Sequence, residues 1–347
     1  MSPFKKWIKT NLIFLITVLG IIASVDFFID PFWCFEHQNS LNNWQKATNE
    51  RQQKANKIYF SSKAYNTLLV GSSRTTFMEQ TDFTDKNVFN FSASGMQPKE
   101  YLPYIDFVIH DTKHPIETII IGADFFGYLT DMSYRLDNAS SIVNATKSPY
   151  YRWKMLLCYD SINNSVRNVR NTFNPEHQNM TYDRNNIHRL FKKTDTKSNA
   201  YEMEKDIEGY AKNEYAGTPD PHFFSTMSRI KKNYPNKNII IYTTPISEPL
   251  FTKMIQMGHY QHYEQWLKDL VAIYGTVYHF MYIHPIAENY HENFIDSNHA
   301  YPKTNTLIAK KIQSECKNEP KNFGMMLTRE NIKTKLQELR SLNGITK

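Results

Sequence analysis

A serine, a histidine and an aspartate in this chain have the residue types and settings of a nucleophilic triad. Near the C-terminus the sequence reads Asn293-Phe294-Ile295-Asp296-Ser297-Asn298-His299, an acid three residues before a histidine. Far upstream, the apolar run Thr67-Leu68-Leu69-Val70 empties into Gly71-Ser72-Ser73. A serine hydroxyl is a weak nucleophile until a base takes its proton and a third group orients that base. Asp and His at this spacing share one face of a turn, so Asp296 can fix the imidazole tautomer while Nε2 is presented to Ser73. A serine on a tight strand-to-helix turn exposes its Oγ, and the backbone N–H groups there face a developing oxyanion. The competing reading is turn chemistry: Ser73 capping the next helix, Asp296 as an N-cap beside a surface His299.

The elements that must position these residues read as a parallel α/β pattern. Strand candidates are Thr67–Val70, Val88–Asn90, Thr118–Ile121, Asn238–Tyr242 and Thr276–Phe280. The third and fourth are continuous β-branched runs, as expected of strands covered on both faces. Helical stretches at about 98–111, 222–234, 258–274 and 305–312 separate or follow them. In open parallel sheets ligands bind at the carboxyl ends of the strands. Besides the serine and histidine motifs, Asn90-Phe91-Ser92-Ala93-Ser94-Gly95 follows the second strand and Gly122-Ala123-Asp124-Phe125 the third. The stretch from about 130 to 220 interrupts the rhythm with Asn, Tyr, Asp and Arg. It predicts an insertion of helices and loops that partly covers the site. Its Tyr150, Tyr151 and Trp153 are candidates either for sugar stacking or for core. The polar tail ends in an amphipathic segment, Asn331 to Leu342.

Composition narrows the classes. At 347 residues with 41% hydrophobic content and 22 Tyr and 22 Phe, the chain can fill a core and is not disordered. The net charge of +7 is dispersed, with no basic-aromatic stripe or zinc finger, so no nucleic-acid partner is expected. Lys5, Lys6 and Lys9 precede an apolar run from Leu12 to Val25, followed by Asp26 and Phe27-Phe28-Ile29; Leu12 to Ile29 is about 27 Å of helix, the signature of an anchor or export signal. No clean small-residue cleavage site stands before a polar start, so the reading is an uncleaved single-pass anchor. The expected layout is a cytoplasmic terminus over 1–10, an anchor over 11–29, a stalk over 30–64, the α/β domain over 65–315 and a helical tail over 316–347. Cys34, Cys158 and Cys316 are odd in number and widely spaced, which is neither a disulfide framework nor a metal site; a single bridge stays open. His259, His262, His279, His284 and His291 fit no metal-ligand spacing, and Gly122 to Gly127 lacks the Lys-Ser/Thr of a phosphate loop. No metal or organic cofactor is expected.

The order and spacing of the four loop motifs, GSS, NFSASG, GAD and DSNH, resemble the SGNH/GDSL hydrolase superfamily. More narrowly they resemble its membrane-anchored, extracytoplasmic members linked to acylation of envelope polysaccharides. The resemblance covers roughly 66–126 and 237–313. It implies a three-layer α/β/α domain with a five-stranded parallel sheet, flavodoxin-like in order. It also implies Ser73 as nucleophile, His299 as base, Asp296 as its orienting acid, and an oxyanion hole formed by the N–H groups of Ser73 and Gly95. Asp124 occupies the position of the family's oxyanion-hole Asn. A carboxylate there would repel an oxyanion, and loss of one such donor costs about 10²–10³ in rate. Arg74 or an insertion residue is the expected substitute. The implied function is an O-acyltransferase, transferring acetyl, or an esterase, acting on an envelope glycan. The implied location is the inner or cytoplasmic membrane, with the domain periplasmic and a multi-pass membrane acyl donor as possible partner. The alternative is a non-catalytic scaffold of the same fold in a polysaccharide assembly machine.

Overall fold

The computed structural model describes residues 2–45, 48–130, 138–175, 180–191, 200–313 and 322–345, the side chains of 200–202 excepted. The chain divides into two compact units, Met1–Ser62 with Ser140–Lys192, and Lys63–Ala139 with Lys193–Lys347.

The second unit is built on a mixed six-stranded sheet. In chain order its strands are β1 (Thr67–Val70), β2 (Val88–Asn90), β3 (Thr118–Ala123), β4 (Asn238–Thr243), β5 (Thr276–His279) and β6 (Met325–Thr328). Their order across the sheet is β2-β1-β3-β4-β5-β6. The first five are mutually parallel, with Leu69 opposite Asn90 and Ile120, and Ile120 opposite Ile240. The sixth pairs antiparallel with β5, Val277 opposite Leu327. The expected purely parallel five-stranded sheet is therefore corrected by an antiparallel edge strand. That strand is Met-Met-Leu-Thr, too short and too little alternating to stand out within a polar tail.

The Leu, Ile and Val side chains of β1 and β3 are fully buried, which is why they read as unbroken apolar runs. The Pro98–Asp111 helix starts at a proline in its first turn, with Gln97 and Glu100 capping reciprocally. The Tyr260–Tyr274 helix stops at Gly275, whose φ of 86° suits glycine. The tail helix Ile332–Leu342 docks onto Tyr260–Tyr274 through buried Leu339 and a 2.6 Å ion pair from Arg340 to Glu264.

The first unit contains the helix Pro3–Ile29, longer at its start than the expected anchor and apolar enough to cross a membrane by length and composition. The expected stalk is folded: Glu50–Phe60 is a helix, and Trp44–Gln45 pairs with Met180–Asp183, which pairs in turn with His188–Leu190, in a small antiparallel sheet. The expected insertion is likewise divided. Its residues 140–192 belong with the N-terminal segment, and its two ends with the second unit. Cys34 is buried and Cys158 half-buried, both free thiols; Cys316 lies outside the described residues.

Candidate active site

The chain leaves β1 at Val70 and turns at Gly71 into the short helix Ser73–Thr76. Ser72 caps this turn, its Oγ accepting from Arg74 N–H at 3.2 Å. The turn sits so close to β3 that glycine is required on both sides. A Cβ at Gly71 or Gly122 would fall on the Thr75 side chain, and one at Gly122 would stand 2.8 Å from the Tyr242 hydroxyl. The second motif is tied to the first. Ala93 N–H donates to Gly71 O at 3.1 Å, and Asn90 Nδ2 donates to the carbonyls of Thr75 and Met78 at 3.0 Å each. Gly95 follows in a turn with φ of 61°, a conformation that favours glycine.

His299 Nε2 lies 2.8 Å from Ser73 Oγ, and His299 Nδ1 lies 2.8 Å from Asp296 Oδ2. Asp296 Oδ1 also accepts the N–H groups of Asn298 and His299, at 2.8 and 2.7 Å, which shapes the turn between acid and base. The three residues of the expected triad therefore meet. Burial disfavours an imidazolium, but the adjacent Asp296 carboxylate outweighs it and holds His299 above the ordinary histidine range. For Asp296, burial works against the anion, yet His299 and the two N–H groups hold its carboxyl below the usual range.

Asp124 takes a different part from the one its motif position implies. Its Oδ1 accepts from Arg74 Nη1 at 3.2 Å and from Thr244 Oγ1, while Oδ2 is buried without a hydrogen-bond partner among the described residues. As the anionic partner of a buried arginine it accepts rather than donates, so it is no oxyanion donor. Arg74 is not the substitute either. Its guanidinium is buried over the Phe126 ring, 5.0 Å from the centroid. It donates from Nε to Asn298 Oδ1 at 2.9 Å, and from Nη2 to Glu214 Oε2 at 2.6 Å and to the Tyr215 hydroxyl at 3.1 Å. Burial opposes its charge, but Tyr215, Glu214 and Asp124 overcome that and raise its basicity further.

Arg74, Glu214, Asn298 and Tyr210 went unrecognised as a group in the sequence. The helix Ala200–Glu214 supplies Asp206, Tyr210 and Glu214 at four-residue intervals, one stripe along its surface. Asp206 Oδ2 accepts from Ser297 N–H at 2.9 Å. The Tyr210 hydroxyl donates to Asp296 Oδ2 at 3.3 Å. Glu214 Oε1 accepts from Asn298 Nδ2 at 3.0 Å. One helix thus touches the acid–histidine loop residue by residue. The four-residue spacing was a signal, but Glu204 and Glu208 on the same helix obscured it. The histidines weighed as metal ligands are engaged by protein: His279 by Thr243 and Tyr263 at 2.8 and 2.6 Å, His284 by Phe280 O at 3.1 Å.

No protein-family model matches this chain, and no curated protein matches it. A solved structure described as "The structure of a putative platelet activating factor from Streptococcus pneumonia" is similar at a TM-score of 0.36 and 12% identity, over 76% of this chain and 89% of that one. That degree of likeness assigns neither a fold family nor an activity.

Proposed function

We propose that this chain is a serine-dependent acyl-transfer enzyme of SGNH type, with a three-layer α/β/α catalytic domain. In this reading the N-terminal helix holds it in the inner or cytoplasmic membrane with that domain outside the cytoplasm. It moves an acyl group, acetyl in the simplest case, to or from a hydroxyl of a cell-envelope glycan. The observation that carries the reading is the unbroken hydrogen-bonded line from Asp296 through His299 to Ser73 Oγ, at 2.8 Å on each side of the imidazole.

The chemistry follows from that line. Asp296 keeps the proton on Nδ1, leaving the Nε2 lone pair facing Ser73. As Ser73 Oγ attacks an ester carbonyl, its proton passes to Nε2 and the carbonyl oxygen becomes an oxyanion. The N–H groups of Ser73 and Gly95 are the donors for it. Collapse expels the alcohol, which leaves with the proton from Nε2, and an acyl-Ser73 ester remains. A second alcohol, the glycan hydroxyl, or water then repeats the sequence in reverse. A donor set without a side-chain amide favours a specialised transferase over a fast esterase, with a multi-pass membrane protein as the class of acyl donor.

The test is turnover by the detergent-solubilised full chain with an aryl acetate as donor and a glycan oligosaccharide as acceptor. Wild type is expected to release the aryl alcohol and to acetylate the oligosaccharide, and Ser73→Ala to do neither. A folded wild type without turnover of any ester would leave the non-catalytic scaffold as the better reading.

A further inference from the structure

The Tyr159–Phe173 helix is built inside out. Its buried residues are Ser161, Asn164, Ser165, Asn168 and Asn171, all polar. Tyr159, Val166 and Phe173, seven residues apart, are 85, 54 and 65% exposed. At about 100° per residue, half-buried Ile162 and Val169 fall on the same side, and Arg167 and Arg170 flank it. A helix surrounded by water turns its apolar stripe inward.

The polar face is fixed by its partners. Ser161 and Ser165 donate to the two carboxylate oxygens of Asp26, Ser165 at 2.6 Å. Asn168 Nδ2 donates to Gln45 at 3.1 Å, and Asn164 accepts from Thr48 at 3.1 Å. The apolar stripe cannot rotate inward without stranding Asp26. Asp26 stands in the last turns of the N-terminal helix Pro3–Ile29, whose exposed side chains from Leu12 to Phe28 are apolar except Thr17 and Ser24. The helix that carries the stripe is thus fixed at the end of that apolar surface. Trp153, stacked on Phe27 at 6.4 Å, extends it together with Leu157, both exposed.

We propose that the Tyr159–Phe173 helix, with Trp153 and Leu157, is a second membrane-contact element. Its apolar stripe lies among lipid acyl chains at the headgroup boundary, and Arg167 and Arg170 lie at the lipid phosphates. A bilayer is the occupant that fits because the helix bearing the stripe is bonded to Asp26, near the end of the apolar N-terminal helix, and Trp153 stacks on Phe27 there. At about 1.5 Å per residue that helix measures about 40 Å against a hydrocarbon core of about 30 Å, so its end falls at the interface. Trp, Tyr and Arg beside aliphatic residues are the composition of that zone.

The test places the photoreactive residue p-benzoylphenylalanine at position 166, 173 or 337 of the full chain. Gln337 is an exposed residue of the tail helix. Each protein is reconstituted in vesicles of phosphatidylcholine and phosphatidylglycerol and irradiated. Lipid adducts at 166 and 173 several-fold above those at 337 are expected. Adducts at 166 and 173 no higher than at 337, or crosslinks there only to a second copy of the chain, overturn the proposal. All three positions face outward, so the substitutions leave packing intact.

Discussion

At the scale of single residues, Asp296 and Arg74 hold the histidine loop, Asp296 through the N–H groups of Asn298 and His299 and Arg74 through Asn298 Oδ1. Asp296→Asn keeps the shape of the acid but favours the wrong imidazole tautomer. It is expected to lower turnover by up to about 10⁴ with little change in thermal stability. The base must be neutral to act, so turnover should rise with pH through the titration of His299, which burial depresses and Asp296 more than restores. Arg74 lowers and Glu214 raises that titration. Glu214→Gln should therefore move the acid limb of the pH–rate profile to lower pH, and a limb that stays in place or moves up contradicts the assignment. Arg74→Met leaves Asp124 and Glu214 as buried anions without their cation, at a cost of about 3–5 kcal/mol in denaturant unfolding. Arg74→Lys is not expected to restore it, because one ammonium cannot reproduce the guanidinium fork to Asn298, Asp124 and Glu214. The part played by Arg74 was hidden in the sequence although it adjoins Ser73. Its partners stand 50, 140 and 224 positions away, and no local pattern encodes pairings at that range.

At the scale of elements, close packing of the Ser73 turn against β3 gives a pair of opposed glycine predictions. Gly122→Ala forces a methyl group against Thr75 and Tyr242 and should destabilise by about 1–3 kcal/mol. Gly209→Ala has open space around it on the Ala200–Glu214 helix and should stabilise by about 0.5–1 kcal/mol. Denaturant unfolding of both variants checks the contrast. The five parallel strands were legible because burial on both faces demands unbroken apolar runs such as Ile119 to Ile121. The Glu50–Phe60 helix was not, because its buried residues are largely Arg51, Gln53, Lys54, Asn56 and Lys57, a pattern that reads as a solvated stalk. The Tyr159–Phe173 helix escaped for the same reason, its polarity running opposite to that of a helix in water.

At the scale of the molecule, the proposed location rests on the N-terminal helix Pro3–Ile29, long and apolar enough to cross a membrane. Its apolar surface predicts that the full chain sediments with membranes after a high-salt or alkaline wash and is released by detergent, the N-terminal segment still attached by mass. Recovery in the wash would contradict an anchor. The long apolar helix was readable from the run that follows Lys5, Lys6 and Lys9. The partition into two units was not, since the first joins residues 1–62 to 140–192 across three of the six strands of the sheet. The proposed activation of the Ser73 hydroxyl by His299 makes that residue a target for covalent labelling. A fluorophosphonate probe should add once to the wild-type chain, with the adduct mapped to Ser73 by peptide mass, and should fail to add to Ser73→Ala or His299→Ala. An unlabelled wild type, or an adduct at any other residue that persists in Ser73→Ala, contradicts the account.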